Sequence, residues 1–178
     1  MNGLLETGSG EYWIAGQSGL YRFNPSVSEP SSPFTRYPLA GAGFNDLEAD
    51  GSGGFWCSTE RGVYHLERAG TGPPRKDAHR WDARFVELSA PSKKPEIVNA
   101  DALLPDGKGA LWIASHLGPY CLFPNGRTGH YSTRDGLPDN RVMSLLQDRQ
   151  GTLWLGTWDG LCRISRSIRT WTTGSIRT

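Results

Sequence analysis

Residues 148–164 read DRQGTLWLGTWDGLCRI, and this stretch decides the fold. It opens on turn residues (Asp148, Arg149, Gln150, Gly151), continues in a strand-like run over residues 152–157, and turns again up to Gly160. A second short run covers residues 161–164. Gly151 and Gly160 supply the positive φ that tight hairpin turns demand. Leu153, Trp154 and Leu155 have the aromatic and aliphatic weight of a buried strand. A single hairpin of this kind is marginal in water, because nothing covers its apolar face. Its meaning depends on copies.

The same frame appears three more times, as TGSGEYWIAGQSGLYRF over residues 7–23, DGSGGFWCSTERGVYHL over residues 50–66 and DGKGALWIASHLGPYCLF over residues 106–123. In each copy a glycine (Gly10, Gly53, Gly109, Gly151) sits three residues before a tryptophan (Trp13, Trp56, Trp112, Trp154). Another glycine (Gly19, Gly62, Gly118, Gly160) follows six residues after it. A lone G-x-x-W would be noise, but two spacings held in four copies mark an internal repeat.

Around that repeat the chain has 178 residues, a net charge of +1, 23 glycines and 12 prolines. The balance of acids and bases advertises no basic face for nucleic acid. No apolar run reaches the roughly 18 residues of a membrane span, and residues 1–20 lack the basic start and apolar core of a signal peptide. The cysteines at 57, 121 and 162 fall inside strand patterns, at spacings that match no zinc or redox motif. They are expected as buried free thiols, with neither metal nor cofactor.

Taken in order, each repeat offers four strands, A to D. The first blade, residues 1–40, has strands near residues 4–6, 11–16, 20–23 and 34–38, with a Pro/Ser-rich connection over residues 24–33. The second, residues 41–90, has strands at 44–49, 54–59, 63–66 and 84–88. Its last strand is delayed by a polar excursion over residues 68–80, which reads as a mobile loop. Tryptophan spacings of 43, 56 and 42 residues locate that surplus. The third blade, residues 91–134, takes 97–104, 110–115, 120–123 and 129–132. The fourth, residues 135–178, takes 142–147, 152–157, 161–164 and 169–172, after a loop TRDGLPDNR. No run of ten or more residues carries a helical period. Four strands per unit of about 42 residues, with glycine at each hairpin, is the pattern of an all-β propeller. A β-sandwich of equal strand count would not need so regular a period.

The frame LLQDRQGTLWLGTWDGLCRI, preceded by DGLPDNRV, resembles the two-component regulator propeller repeat. The likeness covers nearly the whole chain and is strongest in the fourth copy; Thr7 replaces the turn aspartate in the first, and Pro119 replaces a leucine in the third. The resemblance implies a β-propeller sensor domain of a bacterial hybrid histidine kinase, many of which detect polysaccharide breakdown products. It also implies a periplasmic location if the chain is part of such a kinase; a complete chain without a signal peptide would be cytoplasmic.

The repeated residues themselves read as structure. The four tryptophans are expected to pack between neighbouring blades. Asp50, Asp106 and Asp148 open A–B turns, where a short carboxylate can accept from backbone amides two residues on. A ligand is expected elsewhere. Strand order A to D brings the B–C turns and the D–A connectors to one face, and the B–C tips are the variable part of the repeat. Gln17, Glu60, Arg61, His116, Trp158 and Asp159 come from those tips, and Asn140 and Arg141 from a connector, beside Asn45, Asn99, Arg134 and Asp135. Aromatic, amide and charged side chains on one rim suit a polar ligand such as an oligosaccharide.

No catalytic residue is expected. The four histidines fall in a C strand (His65), the excursion (His79), a B–C tip (His116) and a D strand (His130), and no hydrolase elbow, zinc-helix or phosphate-loop motif is present. A propeller lyase or lactonase and a protein-binding scaffold remain the alternatives to a sensor module. Four blades in phase can close alone or form an arc, and the resemblance favours the arc. Further blades or a second copy would then complete the ring, the simplest case being a two-fold dimer with eight blades.

Overall fold

Alternating apolar and polar positions, cut at short intervals by turn glycines, make every repeat a meander of short strands. The structure, a computed structural model, describes residues 2–26, 32–37, 39, 43–68, 81–88, 98–164 and 171–172. The chain divides into two compact units, Met1–Glu87 and Leu88–Thr178. The first holds a sheet of β1 (Gly3–Glu6), β2 (Tyr12–Gly16), β3 (Gly19–Phe23) and β4 (Phe34–Tyr37), and a sheet of β5 (Phe44–Ala49), β6 (Phe55–Thr59), β7 (Gly62–Arg68) and β8 (Trp81–Val86). The second holds β9 (Ala100–Pro105), β10 (Leu111–Ser115), β11 (Tyr120–Leu122) and β12 (Thr128–His130), then β13 (Val142–Gln147), β14 (Leu153–Thr157), β15 (Gly160–Ile164) and β16 (Trp171–Thr172). Neighbouring strands in each sheet are antiparallel and follow chain order. One 3₁₀ turn, Thr133–Asp135, is the only helical element among the described residues. Four four-stranded antiparallel sheets, one per repeat, are the blades of a β-propeller.

The turn glycines do what their spacing requires. Gly10, Gly53, Gly109 and Gly151 have φ between 75° and 100°, and Gly19, Gly62, Gly118 and Gly160 between 117° and 144°. At Gly118 a Cβ would also overlap the carbonyl oxygen of Tyr131.

Strand pleating gives each sheet two faces. One face carries a tryptophan on the second strand with small residues beside it. The other carries larger aliphatic and aromatic side chains. In the first unit the tryptophan face of sheet one (Leu5, Trp13, Ala15, Leu20) is covered by the opposite face of sheet two (Leu47, Phe55, Cys57, Leu66), with Phe44 and Trp81 completing the cluster. In the second unit Leu104, Trp112, Ala114 and Cys121 of the third sheet are covered by Val142, Leu153, Leu155, Cys162 and Ile164 of the fourth. Gly3 lets the first strands of sheets one and two approach: a Cβ there would lie 3.2 Å from the Leu47 amide nitrogen.

Within the two units, the expectation that the tryptophans pack between neighbouring blades is met by Trp13 and Trp112. Trp13 and Trp112 are buried, whereas Trp56 and Trp154 are only half-buried. Register is alike in all four sheets; what differs is which face of the sheet packs inside its unit. Phe55 and Cys57, or Leu153 and Leu155, point into the core of their unit, so the tryptophan between them points to the opposite face of the same sheet. There Trp56 stacks on His65 with ring centroids 3.9 Å apart, and Trp154 Nε1 donates to Asp148 Oδ2 at 2.9 Å.

Strand limits otherwise shift by one to three residues. In the second blade β8 begins at Trp81 rather than residue 84, because Trp81 pairs with Arg68. Trp81 meets Trp13 edge-on at 5.4 Å and Phe55 at 5.2 Å. The polar excursion expected over residues 68–80 lies, beyond Arg68, outside the described residues, as do residues 89–97 and 165–170 of the blade connections. Cys57, Cys121 and Cys162 are buried free thiols, and burial pushes the Cys121 thiol up to about 12.

Trp13→Ala should cost about 3–5 kcal/mol, the range for emptying a large core site, and Trp154→Ala clearly less. Denaturant unfolding of the two variants side by side checks the order; equal losses would refute the two-face assignment. Gly118→Ala should cost about 1–3 kcal/mol from its backbone conformation alone, measured in the same way.

Candidate functional site

Two sets of side-chain hydrogen bonds shape the ends of the sheets. At the A–B turns, Asp50 Oδ1 accepts from the Ser52 and Gly54 amides at 2.7 and 2.9 Å. Asp106 Oδ1 does the same with Lys108 and Ala110 at 2.8 and 3.0 Å, and Asp148 Oδ1 with Gln150 and Thr152 at 3.0 and 2.8 Å. These aspartates are turn builders, as their position in the repeat implies. In the first copy Thr7 substitutes, its hydroxyl 2.9 Å from Ser9 Oγ. At the opposite end, Thr59, Ser115 and Thr157 donate their hydroxyls to the carbonyls of Gly62, Gly118 and Gly160 at 2.9, 2.6 and 2.7 Å. The Thr59 and Ser115 oxygens accept in turn from the Arg61 and Leu117 amides, each at 3.1 Å. A latched B–C turn leaves its two tip residues free to vary.

Those tips meet the start of the first strand of their own sheet. The Glu60 amide donates to the Gly43 carbonyl at 3.2 Å, and the Trp158 amide to the Arg141 carbonyl at 3.0 Å. His116 Nδ1 stands 3.5 Å from the Asn99 carbonyl oxygen. The shared end for B–C tips and D–A connectors therefore exists in sheets two, three and four.

In the second unit this end gathers the densest chemistry. Trp158 is 67% exposed, and the Arg141 guanidinium lies 5.2 Å from its ring centroid, within cation–π range. Asp101 occupies a β-bulge. Ala100 pairs with Ser115 and Ala102 with Ala114, so Asp101 is the extra residue between them, and a bulge re-aims its side chain. Asn99 Nδ2 donates to Asp101 Oδ1 at 3.2 Å. Burial holds the Asp101 carboxyl above its ordinary range, against the opposing pull of His116 and Arg141. One aromatic face, one guanidinium, one imidazole and one carboxyl thus share an end of this unit.

The connector before β13 is locked rather than loose. Leu137 is buried in the core of the unit. Ser132 and Asp135 form a capping box around the 3₁₀ turn, and Gly136 closes it at φ 100°. Asn140 Oδ1 accepts from the Thr133 amide at 2.8 Å, which makes this rim candidate a loop brace. Asp159 is exposed beside Trp158. In the first unit Gln17, Glu60 and Arg61 are exposed at their tips. Glu60 lies over Gly43, where a Cβ would come within 2.6 Å of its carboxylate. The eight rim candidates therefore fall in two groups, three in the first unit and five in the second. Of the five, Arg141 and Trp158 are in contact, and His116 joins them through the shared field at Asp101.

The other described histidines serve turns and sheet flanks. His65 bonds Asp50 Oδ2 at 2.8 Å and Glu67 Oε1 at 3.0 Å, and His130 Nε2 lies 2.9 Å from the Leu117 carbonyl. Among the described residues no group of three or more His, Cys, Asp or Glu side chains could hold a metal ion, and no helix is long and apolar enough to cross a membrane.

Comparison with known proteins agrees with this architecture. Residues 136–159, spanning the DGLPDN connector to the fourth B–C tip, match the family described as two component regulator propeller, so this repeat is of that type. The extracellular domain of a protein described as a hybrid two component system of B. thetaiotaomicron superposes with a TM-score of 0.73 at 20% identity, over 97% of this chain and 22% of its own. A second such domain from the same organism gives 0.75 at 16%, over 96% and 24%. Virginiamycin B lyase from Staphylococcus aureus gives 0.68 at 16%, over 99% and 56%. The chain thus spans under a quarter of each extracellular domain, and these likenesses establish the propeller fold. No curated protein matches the chain.

Asp101 gives a pH test. Its raised pKa means that its protonated form fits the fold better, so that contribution is full below the ordinary carboxylate pKa of about 3.9 and is lost as pH rises through the folded value. The stability of Asp101→Asn relative to the parent should therefore increase as pH is raised from acid toward neutral. Urea midpoints at a series of pH values check this, and a relative stability of Asp101→Asn that falls over the same range would reverse the assigned cause.

Proposed function

We propose that this chain is a ligand-binding segment of a two-component sensor, and that it takes a polar ligand, a carbohydrate in particular, at the B–C/D–A end of its sheets. The observation that carries the reading is Trp158. An indole exposed to 67% beside a guanidinium is costly to leave bare and offers a flat apolar face with donors at its edge. A sugar ring presents C–H groups to such a face and hydroxyls to its surroundings. Arg141 and His116 can donate to those hydroxyls, and Asp101 can accept from them.

The relatives support the same direction, because two of them are extracellular domains of hybrid two component systems. On that analogy the segment works outside the cytoplasmic membrane, in the periplasm, and passes its signal through parts of a longer receptor. Binding rather than turnover is the role proposed. The lyase reading has one specific observation in its favour, the shared fold of virginiamycin B lyase. Asp101 and His116 would be its acid–base candidates.

Calorimetric titration with a panel of neutral and acidic oligosaccharides tests both. The expected result is saturable binding without consumption of ligand, weakened about tenfold or more by Trp158→Ala, which corresponds to about 1.4 kcal/mol. Binding untouched by Trp158→Ala would move the site elsewhere. Turnover of a cyclic ester or lactone, abolished by His116→Ala, would favour the enzyme.

A further inference from the structure

Charge is unevenly spread at the B–C end of the second unit. Among the described residues of its tips, connector and bulge, Asp101, Asp135, Asp139 and Asp159 are acids, whereas Arg134 and Arg141 are the guanidiniums. Two of the acids are spent on backbone: Asp135 Oδ2 accepts from the Ser132 amide at 2.9 Å, and Asp139 Oδ1 from the Arg141 amide at 2.6 Å. Asp101 is placed differently. The bulge in β9 makes it the extra residue between two paired ones, and Asn99 Nδ2 donates to it at 3.2 Å. His116 and Arg141 act on it through their fields, yet among the described residues neither forms a salt bridge with it. The Arg141 guanidinium rests instead on the Trp158 ring.

A carboxyl acceptor and a guanidinium donor thus stand at one end without neutralising each other. A ligand hydroxyl matches that pair, because it can donate to Asp101 while accepting from Arg141 or His116. A ligand carboxylate or sulfate only accepts. It gains Arg141, gives Asp101 no hydrogen bond, and brings a second negative charge beside it as water is excluded. Burial already holds the Asp101 carboxyl above its ordinary range, against the pull of His116 and Arg141. No surplus of positive potential therefore waits there for an anion.

We propose that Asp101 sets the charge selectivity of this end, which takes neutral oligosaccharides and turns away uronic and sulfated ones. The inference rests on the carbohydrate reading given above and narrows it to one chemical class. Asp101 acts in two ways: it accepts from a hydroxyl of the right ligand, and it repels the wrong one. Specificity is a difference of affinities, and a like charge placed against the competitor is an economical way to obtain it. Arg141 alone would favour acidic sugars, so the sign of the preference depends on the bulge that brings Asp101 to the same end.

Calorimetric titration of the parent, Asp101→Asn and Trp158→Ala tests this. The probes are pairs of short oligosaccharides of equal length and linkage that differ only in a hydroxymethyl or a carboxylate group: glucose with glucuronate, mannose with mannuronate, galactose with galacturonate. The parent should bind the neutral member of a pair at least about tenfold more tightly than the acidic one, and added salt should narrow that gap by screening the repulsion. In Asp101→Asn the gap should shrink by about tenfold, since the amide keeps the shape and drops the charge. A purely structural role of Asp101 would weaken both members alike and leave their ratio unchanged. Acidic members bound as tightly as neutral ones by the parent would overturn the selectivity and leave the carbohydrate reading standing. So would a gap that Asp101→Asn does not alter while Trp158→Ala still weakens binding. Binding of neither member, or binding indifferent to Trp158→Ala, would sink that reading and the selectivity with it.

Discussion

The constraint on which everything else rests is that a four-stranded sheet of this sequence has two apolar faces and cannot cover either by itself. Trp13 shows the scale. Burying about 150–250 Å² of indole at roughly 25 cal/mol per Å² contributes about 4–6 kcal/mol, several times the roughly 1 kcal/mol of a net hydrogen bond. It reaches that burial only because Phe55 and Trp81 of the next sheet close over it, at 4.9 and 5.4 Å. The ladder bonds organise each blade, but the seam between sheets decides whether the blade survives. Glu11 strengthens the first seam electrostatically: it pairs with Arg22 of its own sheet, and Arg68 of the next comes to 3.5 Å of its other oxygen.

Once the seams hold the sheets, the two ends can differ in freedom. The A–B turns are spent on structure, with each aspartate occupied by two backbone amides. In sheets two, three and four the B–C turns are held by one hydroxyl on the last residue of the second strand and one glycine, which leaves the side chains of the two tip residues free to vary. That division is what allows Glu60 and Arg61, His116 and Leu117, and Trp158 and Asp159 to be so unlike one another on one repeated frame. Variable chemistry on a rigid scaffold is the arrangement that recognition needs.

Parts of the candidate site were legible and parts were not. Trp158 and Arg141 could be placed at the same end from strand order alone, because the topology of a meander allows no other position. Asp101 could not. It reads as an ordinary strand residue, and only a bulge at the start of β9 turns it toward His116 and Arg141. The bulge recurs at Asn45 and Met143 in the equivalent strands, so a comparison of first strands against second strands was the signal that could have found it. Asn140 was legible as polar but not as a brace, since its partner, the Thr133 amide, lies seven residues away across a turn.

By itself the sequence determined the repeat, its four strands, the glycine turns, the turn aspartates and the end to which variable residues go. All of these follow from local periodicity and backbone conformation, which a chain carries wherever it is placed. Only the tertiary structure decided which tryptophans are core. Trp56 and Trp154 satisfy the same local pattern as Trp13 and Trp112, yet they are half-buried and lie outside the two core clusters. It likewise decided that Trp81, in no repeat frame, belongs to the first unit's core. Pattern sets which way a side chain points; what stands opposite it is a property of the fold.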